Sequence, residues 1–433
     1  MYQKSLFIFR RDLRTHDNTA LIEAIQQSKQ VLACFILDPR QQNNPYFSAH
    51  AFQFMLESLQ ELKKEIPLQI YKGIPHTILP NIIKEHGIEA IFFNKDYTPF
   101  AQQRDEHIAQ LGIPVHSYDD ALLHPPHIIT TLQKTPYKVF TPFYKCMSQL
   151  HVPQSNTLPK ATWIQGASET LPTISKKHLF TQGGSKIAHA ILQKSYHTYT
   201  QKRDIPFEQA TTGLSAHLKF GTISVREVYH AFVKTYGKES SIVRQLYWRD
   251  FFTHIAFHFP HVFGHAFQQK YEHIQWHHNE QWFKRWCEGT TGFPIVDAGM
   301  RQLNQTGYMH NRVRMIVASF LTKDLIIDWR KGEQYFAQQL IDYDPAVNNG
   351  SWQWASSTGC DAQPYFRIFN PWLQQKKFDP QALYIKQWIP QLRDVPAQAI
   401  HAIETQQVLG VEYPAPIVDH YEQKQKALAL FKG

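Results

Sequence analysis

The sequence predicts an α/β N-terminal domain with a Rossmann-like parallel sheet, joined by a long linker to an all-α C-terminal domain. Three observations predict it. Short apolar runs alternate with amphipathic segments over residues 1–130, prolines break the periodicity over 131–181, and from 182 to 433 the apolar spacing is helical. Composition changes along the same line. Residues 1–130 carry 12 Lys+Arg against 14 Asp+Glu and the remainder 33 against 22, a net charge of −2 followed by +11. All ten Trp lie from Trp163 onward. A near-neutral, Trp-free part therefore precedes a basic, Trp-rich one. Basic aromatic surfaces suit a polyanion with stackable bases; a solvated basic face beside an ordinary aromatic core has the same composition.

The elements follow in order. Ser5–Phe9 and Val31–Leu37 read as strands, with Asn18–Ser28 between them a helix carrying Ala20, Leu21, Ala24 and Ile25 on one face. Gln69–Tyr71, Ala90–Asn94 and Pro114–Tyr118 are further strands; Phe52–Glu65 and Thr77–His86 are helices. Strands alternating with helices imply a parallel sheet covered on both faces. Pro125, Pro126, Pro136, Pro142, Pro153, Pro159 and Pro172 mark the linker as a segment crossing the surface. Beyond it, Gly183-Gly184 opens a helix toward Arg203, and Ser224-Val-Arg-Glu227 has the form of a capping box. Asn279 caps a helix ending near Gly289, Pro294 starts one ending near Gly307, and Val313–Leu325 and Glu333–Leu340 follow.

Several classes are excluded. No run approaches the ~20 apolar residues of a membrane span, and Leu6–Phe9 is too short for a signal sequence. Cys34, Cys146, Cys287 and Cys360 are far apart, which points to neither a disulfide framework nor a zinc site. No GxGxxG follows the first strand and no P-loop is present. A cytoplasmic, metal-free, soluble protein is expected.

Five constellations carry chemistry. Thr211-Thr212-Gly213-Leu214-Ser215, ahead of the helical stretch Ala216–Phe220, offers hydroxyls and backbone N–H groups to phosphates. Asp342-Tyr343-Asp344 with Asn348-Asn349 gathers carboxylates and amides that can answer ribose hydroxyls or a ring edge. Trp352 and Trp354, two residues apart, cannot share one helix face, so one points inward and the other toward a pocket or the surface; Trp329 and Trp276 lie upstream. His310-Asn311-Arg312-Val-Arg314-Met315 is a basic polar patch, and Gln245-Leu-Tyr-Trp248-Arg249 sets a Trp–Arg pair among aromatics that can flank a base. Each alone also reads as an ordinary turn, junction or core-packing residue.

Taken together, these segments resemble the DNA photolyase/cryptochrome family over nearly the whole chain, most closely its cyclobutane pyrimidine dimer photolyases. The resemblance rests on Phe9-Arg-Arg-Asp-Leu-Arg14 with Asp17-Asn18, Tyr199–Arg203 with Thr211–Ser215, and Trp248-Arg249. It continues through Gly292–Ala298, Met300–Leu303, His310–Met315, Asp328-Trp-Arg330, Asn348–Trp354 and Tyr365–Pro371. It implies an antenna-type α/β domain and a helical domain holding FAD. By matching position, Tyr199 and Thr211–Ser215 would hold the FAD phosphates, Arg314 would pair with Asp342, Tyr343 and Asp344 would line the flavin, and Asn348 would face its N5. Trp276, Trp329 and Trp352 would carry electrons from the surface to the flavin. Gln245, Trp248, Arg249, Asn311, Arg312, Met315, Trp354 and Gln374 would meet the lesion or its strand, and Arg203 a phosphate. The implied reaction is light-driven splitting of a dimer in ultraviolet-damaged DNA by one electron lent from reduced FAD and then returned. The resemblance implies a monomer needing no metal.

Two positions depart from the pattern. Dimer-repairing relatives usually have Glu where this chain has Gln245, whereas (6-4) photolyases and animal cryptochromes often have Gln there. Folate-binding relatives carry an Asn-Glu pair where this chain has Phe100-Ala101, which leaves a deazaflavin, a second flavin or no antenna as alternatives. A cryptochrome photoreceptor is the rival from another class; cryptochromes commonly carry a C-terminal extension, and this sequence stops at Gly433, soon after its last helix.

Overall fold

The computed structural model describes residues 1–173, 177–406 and 410–432, so Gly433 lies outside the described residues. It divides into two compact units, one of residues 1–176, 181–195 and 212–260 and the other of 177–180, 196–211 and 261–433. Among the described residues no helix is long and apolar enough to cross a membrane.

The first unit is built on five parallel strands, β1 (Tyr2–Phe9), β2 (Ser28–Leu37), β3 (Gln69–Lys72), β4 (Ala90–Asn94) and β5 (Val115–Tyr118), in the order β3-β2-β1-β4-β5. Helices Thr19–Gln27, Ala49–Glu65, Pro75–His86 and Pro99–Ala109 make the crossovers. Continuous burial of Leu6–Phe9 and Val31–Ile36 is what a sheet covered on both faces requires. The α/β architecture is therefore as the sequence predicts. The Pro99–Ala109 helix is an addition: it buries only Ala101 and Ile108, so it has too little apolar periodicity to be read, and Thr98 caps it by accepting from the Ala101 N–H at 3.3 Å.

Strand order reverses between β1 and β4, and a polar cluster fills the strand ends there. Asn94 Nδ2 donates to Asp12 Oδ2 (2.6 Å) and Asn18 Oδ1 (2.7 Å). Arg14 and Arg226 clasp Asp120 at 2.6 and 2.8 Å, and Arg226 Nε reaches Asp17 at 2.9 Å. Burial alone would raise the Asp120 carboxyl, but the two guanidinium groups hold it well below the ordinary range. Close by, Gly221 adopts φ +63°, and a Cβ there would stand 2.2 Å from the Arg11 carbonyl oxygen. Only glycine meets both conditions.

Three local expectations are corrected. The proline-rich linker contains a helix, Phe140–Met147; Pro142 sits in its first turn, where a missing N–H breaks no helical bond. The linker is also stitched to the sheet, with Val31 N–H donating to Thr162 O and Ile164 N–H to Val31 O at 3.0 and 2.9 Å. The helix opened by Gly183-Gly184 runs only from Ser185 to Leu192, and a separate turn, Tyr199–Lys202, follows where the chain passes into the second unit. Ser224 caps its helix by accepting from Arg226 N–H, but Glu227 does not return to the cap; its carboxylate meets His189 Nε2 at 2.9 Å, so the box is half made.

The second unit is helical, with Glu280–Glu288, Pro294–Thr306, Asn311–Ser319, Trp329–Gln339, Pro345–Ser356, Pro371–Phe378, Leu383–Trp388 and His420–Lys432 as its longer elements. Gly289 and Gly307 end two of them in the left-handed conformation, as the sequence predicts. The Asn311–Ser319 helix passes into a π turn at Phe320–Asp324. Trp286, Trp329 and Trp352 centre the core. Gly332 sits inside a helix, at a penalty of about 1 kcal/mol relative to Ala. A Cβ there would stand 2.2 Å from the Trp352 ring and 2.5 Å from Leu321. The close approach of that indole dictates the glycine.

Candidate functional site

The helix Pro345–Ser356 organises the site. Asp344 caps it, accepting from the N–H groups of Ala346 and Val347 at 3.0 and 3.1 Å, with Pro345 pre-set for the first turn. One turn in, Asn348 is buried and donates through Nδ2 to the Glu333 carbonyl at 3.1 Å. Asn349 Nδ2 donates to Glu333 Oε1 at 3.0 Å and to Val262 O at 2.9 Å. Gln353 ties in by donating to Asn349 Oδ1 and to Val262 O, both at 3.1 Å. Burial raises the Glu333 carboxyl to about 7, although Asn349 counters it. Sequence reasoning missed Glu333 and Gln353 as partners of the Asn348-Asn349 pair. Gln353 lies four residues beyond Asn349, the spacing of one helix face, which is the signal that was available.

Beside this helix, Arg314 is held twice: Nε donates to Met309 O at 2.7 Å and a terminal nitrogen meets Asp342 Oδ2 at 2.9 Å. Its guanidinium also lies over the ring of Tyr308, which Phe180 stacks at 3.9 Å. Tyr199 is buried, and Arg203 lies 5.5 Å from its ring. In the first unit, Gly213 takes a positive φ of 67°, and Thr212 Oγ1 accepts from Leu214 N–H at 3.3 Å ahead of the six-residue helix Ser215–Phe220.

The two tryptophans of the helix diverge as expected: Trp352 is buried and Trp354 only partly so. Trp352 makes its ring contacts with Phe336 (4.9 Å) and Trp286 (6.1 Å). Trp329 is fully buried at the start of its own helix, and Trp276 stands edge-on to Phe431 at 6.1 Å. Trp276, Trp329 and Trp352 thus share one core without touching ring to ring. Trp286 stands edge-on to Trp352, 6.1 Å between ring centroids.

A second polar patch opens the Asn311–Ser319 helix. His310 Nδ1 accepts from Arg312 N–H at 3.2 Å, so the ring proton sits on Nε2, which finds no partner among the described residues. Burial lowers His310 to about 4, so the ring is neutral near pH 7. Arg312 pairs with Asp204 at 3.0 Å and covers Phe378 at 4.4 Å, while its Nε and the Gln374 Oε1 also lack partners among the described residues. Asn311 is exposed, with Met315 Sδ 3.8 Å from its amide.

In the first unit, the helix Ser241–His258 carries Gln245, Trp248 and Arg249. Gln245 donates to Ser241 O at 3.3 Å. Phe140 stacks face to face on Trp248, 3.6 Å between centroids and 7° between planes. Arg249 is engaged inside the unit, with Ala121 O at 2.6 Å and Asp250 Oδ1 at 3.1 Å.

Comparison with known proteins gives these features a common frame. The family model described as DNA photolyase matches residues 5–160, and that of the FAD binding domain of DNA photolyase matches 242–433. The deoxyribodipyrimidine photo-lyase of Alkalihalophilus pseudofirmus is 40% identical, covering 98% of this chain and 97% of its own. The chain belongs to the DNA photolyase family. Two solved photolyases share its fold. The archaeal enzyme from Sulfolobus tokodaii, which holds two FAD molecules and implicates a novel light-harvesting cofactor, superposes with a TM-score of 0.91 at 43% identity over 99% of this chain and 100% of its own. A bacterial class III photolyase from Agrobacterium tumefaciens gives 0.93 at 34% identity over 100% and 98%.

The residues of this photolyase fit a flavin nucleotide. Arg314, Tyr343 and Asp344 remain part-exposed beside a sealed apolar core, and Asn348 brings an amide to the same turn. A flavin ring edge presents both donors and acceptors, which that mixture of carboxylate, guanidinium and amide can answer.

Proposed function

We propose that this protein is a deoxyribodipyrimidine photo-lyase that splits cyclobutane pyrimidine dimers in ultraviolet-damaged DNA. The observation that carries the reading is the single helix Pro345–Ser356, which gathers Asp344, Asn348, Trp352 and Trp354 beside the Arg314–Asp342 pair. FAD, when bound and reduced, supplies the photoexcited electron that opens the dimer and is then recovered. The chain does the rest. Asp342, Tyr343, Asp344 and Arg314 orient the ring edge. Asn348, held by the Glu333 carbonyl, presents its amide to the flavin N5, and Tyr199 with Thr211–Ser215 secures the phosphates. Trp352, Trp329 and Trp276 would relay electrons from a reductant in solution to the flavin when it is bound in its oxidised form. Trp248 and Trp354 offer aromatic faces to extruded bases, a displacement that costs least at a damaged, poorly stacked step. Gln245, Asn311, Arg312, Met315 and Gln374 supply polar and soft contacts to lesion and strand, with Arg203 on a phosphate. Arg249 acts by bracing the Trp248 helix through Ala121 and Asp250. The net +11 of residues 131–433 supplies sequence-independent affinity for the phosphate backbone. The protein works as a cytoplasmic monomer.

The test is repair itself. Chemically reduced protein is mixed with irradiated oligothymidine and exposed to blue light, and recovery of thymine absorbance is followed against a dark control. Light-dependent recovery is expected. No recovery with FAD bound would move the assignment to the (6-4) lesion, which Gln245 favours, or to a cryptochrome. The electron path has its own check: Trp352→Phe should lose photoreduction of oxidised flavin while chemically reduced enzyme still repairs. For the α/β unit, we carry forward a second FAD as antenna. Its support is the two-FAD relative and Phe100, 43% exposed where folate-binding relatives have a polar pair. Two flavins per chain, measured after denaturation, is the expected stoichiometry; one would remove this antenna.

A further inference from the structure

We infer that Phe140, in the helix of the interdomain linker, is a positioning residue for damage recognition: it fixes the plane of the Trp248 ring. The inference rests on Trp248 being a stacking partner of the extruded lesion. Aromatic pairs usually prefer offset or edge-to-face arrangements, whereas Phe140 and Trp248 lie 3.6 Å apart at 7°, one ring covering the other. Phe140 is 2% exposed and Trp248 is only partly buried. One indole face is therefore closed by the linker.

The linker helix is anchored just beyond this contact. Phe143 packs on Phe251 (5.2 Å) and His254 (5.1 Å), and Tyr144 on Tyr247 (5.1 Å), while Tyr144 Oη donates to Glu239 at 2.9 Å. The Arg244 guanidinium, one helical turn before Trp248, lies over Phe140 at 5.3 Å and Tyr144 at 4.7 Å. Upstream, His254 and His258 both reach the Pro126 carbonyl, at 3.2 and 3.1 Å. Phe140 thus cannot slide away when a base presses on the opposite face of Trp248. An indole ordered before binding spares the entropy of ordering it on binding, which is where preorganised sites gain affinity.

The experiment compares Phe140→Leu, Trp248→Ala and the double variant in the full-length, FAD-loaded protein. The probe is an oligothymidine carrying one cyclobutane dimer, beside its undamaged counterpart. Phe140→Leu is expected to weaken damaged-strand binding roughly three- to tenfold, the scale of ordering one side chain, and to raise KM. Undamaged binding and photoreduction of the bound flavin should stay as in the parent, and Phe140→Tyr, which keeps the ring, should restore the preference. On the Trp248→Ala background Phe140→Leu should add nothing. If Trp248→Ala weakens binding and Phe140→Leu does not, or if Phe140→Leu weakens it equally without Trp248, the inference is overturned while the lesion assignment stands. If Trp248→Ala itself has no effect, both fall together. Should the leucine variant not fold, Phe140→Met, flexible enough to fill the gap without a flat face, carries the same test.

Discussion

Two polar clusters, each closed off from bulk water, are built to opposite rules. In the α/β unit, Asp17 and Asp120 have their carboxylate oxygens occupied by Arg14, Arg226, Thr19, Ser224 and the Asn156 N–H. In the helical unit, His310 Nε2, Arg312 Nε and Gln374 Oε1 have no partner among the described residues. Buried polar groups are normally satisfied, and a group that is not asks for a reason. The saturated cluster locks loops onto the strand ends where the order of the sheet reverses. The open one keeps donors and an acceptor in reserve beside the segment assigned to strand contact. Polar burial by itself therefore does not mark a site; at His310, Arg312 and Gln374 the unused hydrogen-bonding capacity coincides with the residues assigned to strand contact.

The sharpest way to break this contrast is to empty the saturated cluster. Asp120→Ala leaves Arg14 and Arg226 buried without their shared carboxylate and should destabilise the protein by about 3–5 kcal/mol, the cost of orphaning a buried charge. Urea unfolding reads the loss, and a change under ~1 kcal/mol would deny the cluster its structural role. Because the native Asp120 value lies below the ordinary one, its contribution is present above about pH 4 and is lost as the pH falls through the native value.

His310 sharpens the other side. Its native value is about 4 against an ordinary 6.5. Between those values the unfolded chain binds the extra proton, so the neutral ring's contribution is present above pH 6.5 and fades toward pH 4, by about 3 kcal/mol at the limit. Glu333, raised to about 7, works in the opposite direction, its contribution fading as the pH rises. The His310 effect is therefore read as a difference: His310→Asn, which keeps a capping acceptor, should flatten the acid limb of stability between pH 6.5 and 4. An unchanged limb would mean that the ring is already solvated. Smaller again is Trp354→Ala, expected to weaken binding to a dimer-bearing strand by about 1–3 kcal/mol, the worth of one stacked base. A preference for damaged DNA equal to that of the parent would remove Trp354 from the lesion contacts.

How much of this was legible follows from where the information resides. The alternation of β1 to β5 with their helices was readable because parallel strands are buried on both faces and appear as unbroken apolar runs. The Pro99–Ala109 and Phe140–Met147 helices were not: one buries two residues, and the other carries Pro142 at its third position, which reads as a breaker until it is known to be in the first turn. The divergence of Trp352 and Trp354 was legible from their spacing, whereas the Arg314–Asp342 pair, 28 residues apart, was implied only by the family resemblance. The grip of Glu333 on Asn349, the stack of Phe140 on Trp248 and the inward turn of Arg249 join residues 16, 108 and 128 apart or more in sequence, and no local pattern encodes such pairs. The sequence showed which residues had chemistry to offer; tertiary contacts decide which of them are already engaged.

Gln245 tests the boundary between the two rules at one atom. Its amide donates to Ser241 O at 3.3 Å, one helical turn back, a long and weak bond that a ligand can outcompete. It belongs neither to a saturated cluster nor to a wholly unused one. Replacing it with Glu adds a charge at nearly constant volume and removes that donor. A hydrogen bond to a charged group contributes about 1 kcal/mol more than a neutral one, so Gln245→Glu should bind a cyclobutane dimer a few-fold more tightly if the side chain accepts from the lesion. If Gln245 instead serves as a donor, the same change removes that bond and turns the helix face away from the lesion by charge repulsion, and binding falls by a similar factor. Titration of reduced protein with a single-dimer oligonucleotide separates the two signs. Equal affinity in both proteins would place Gln245 outside the lesion contacts.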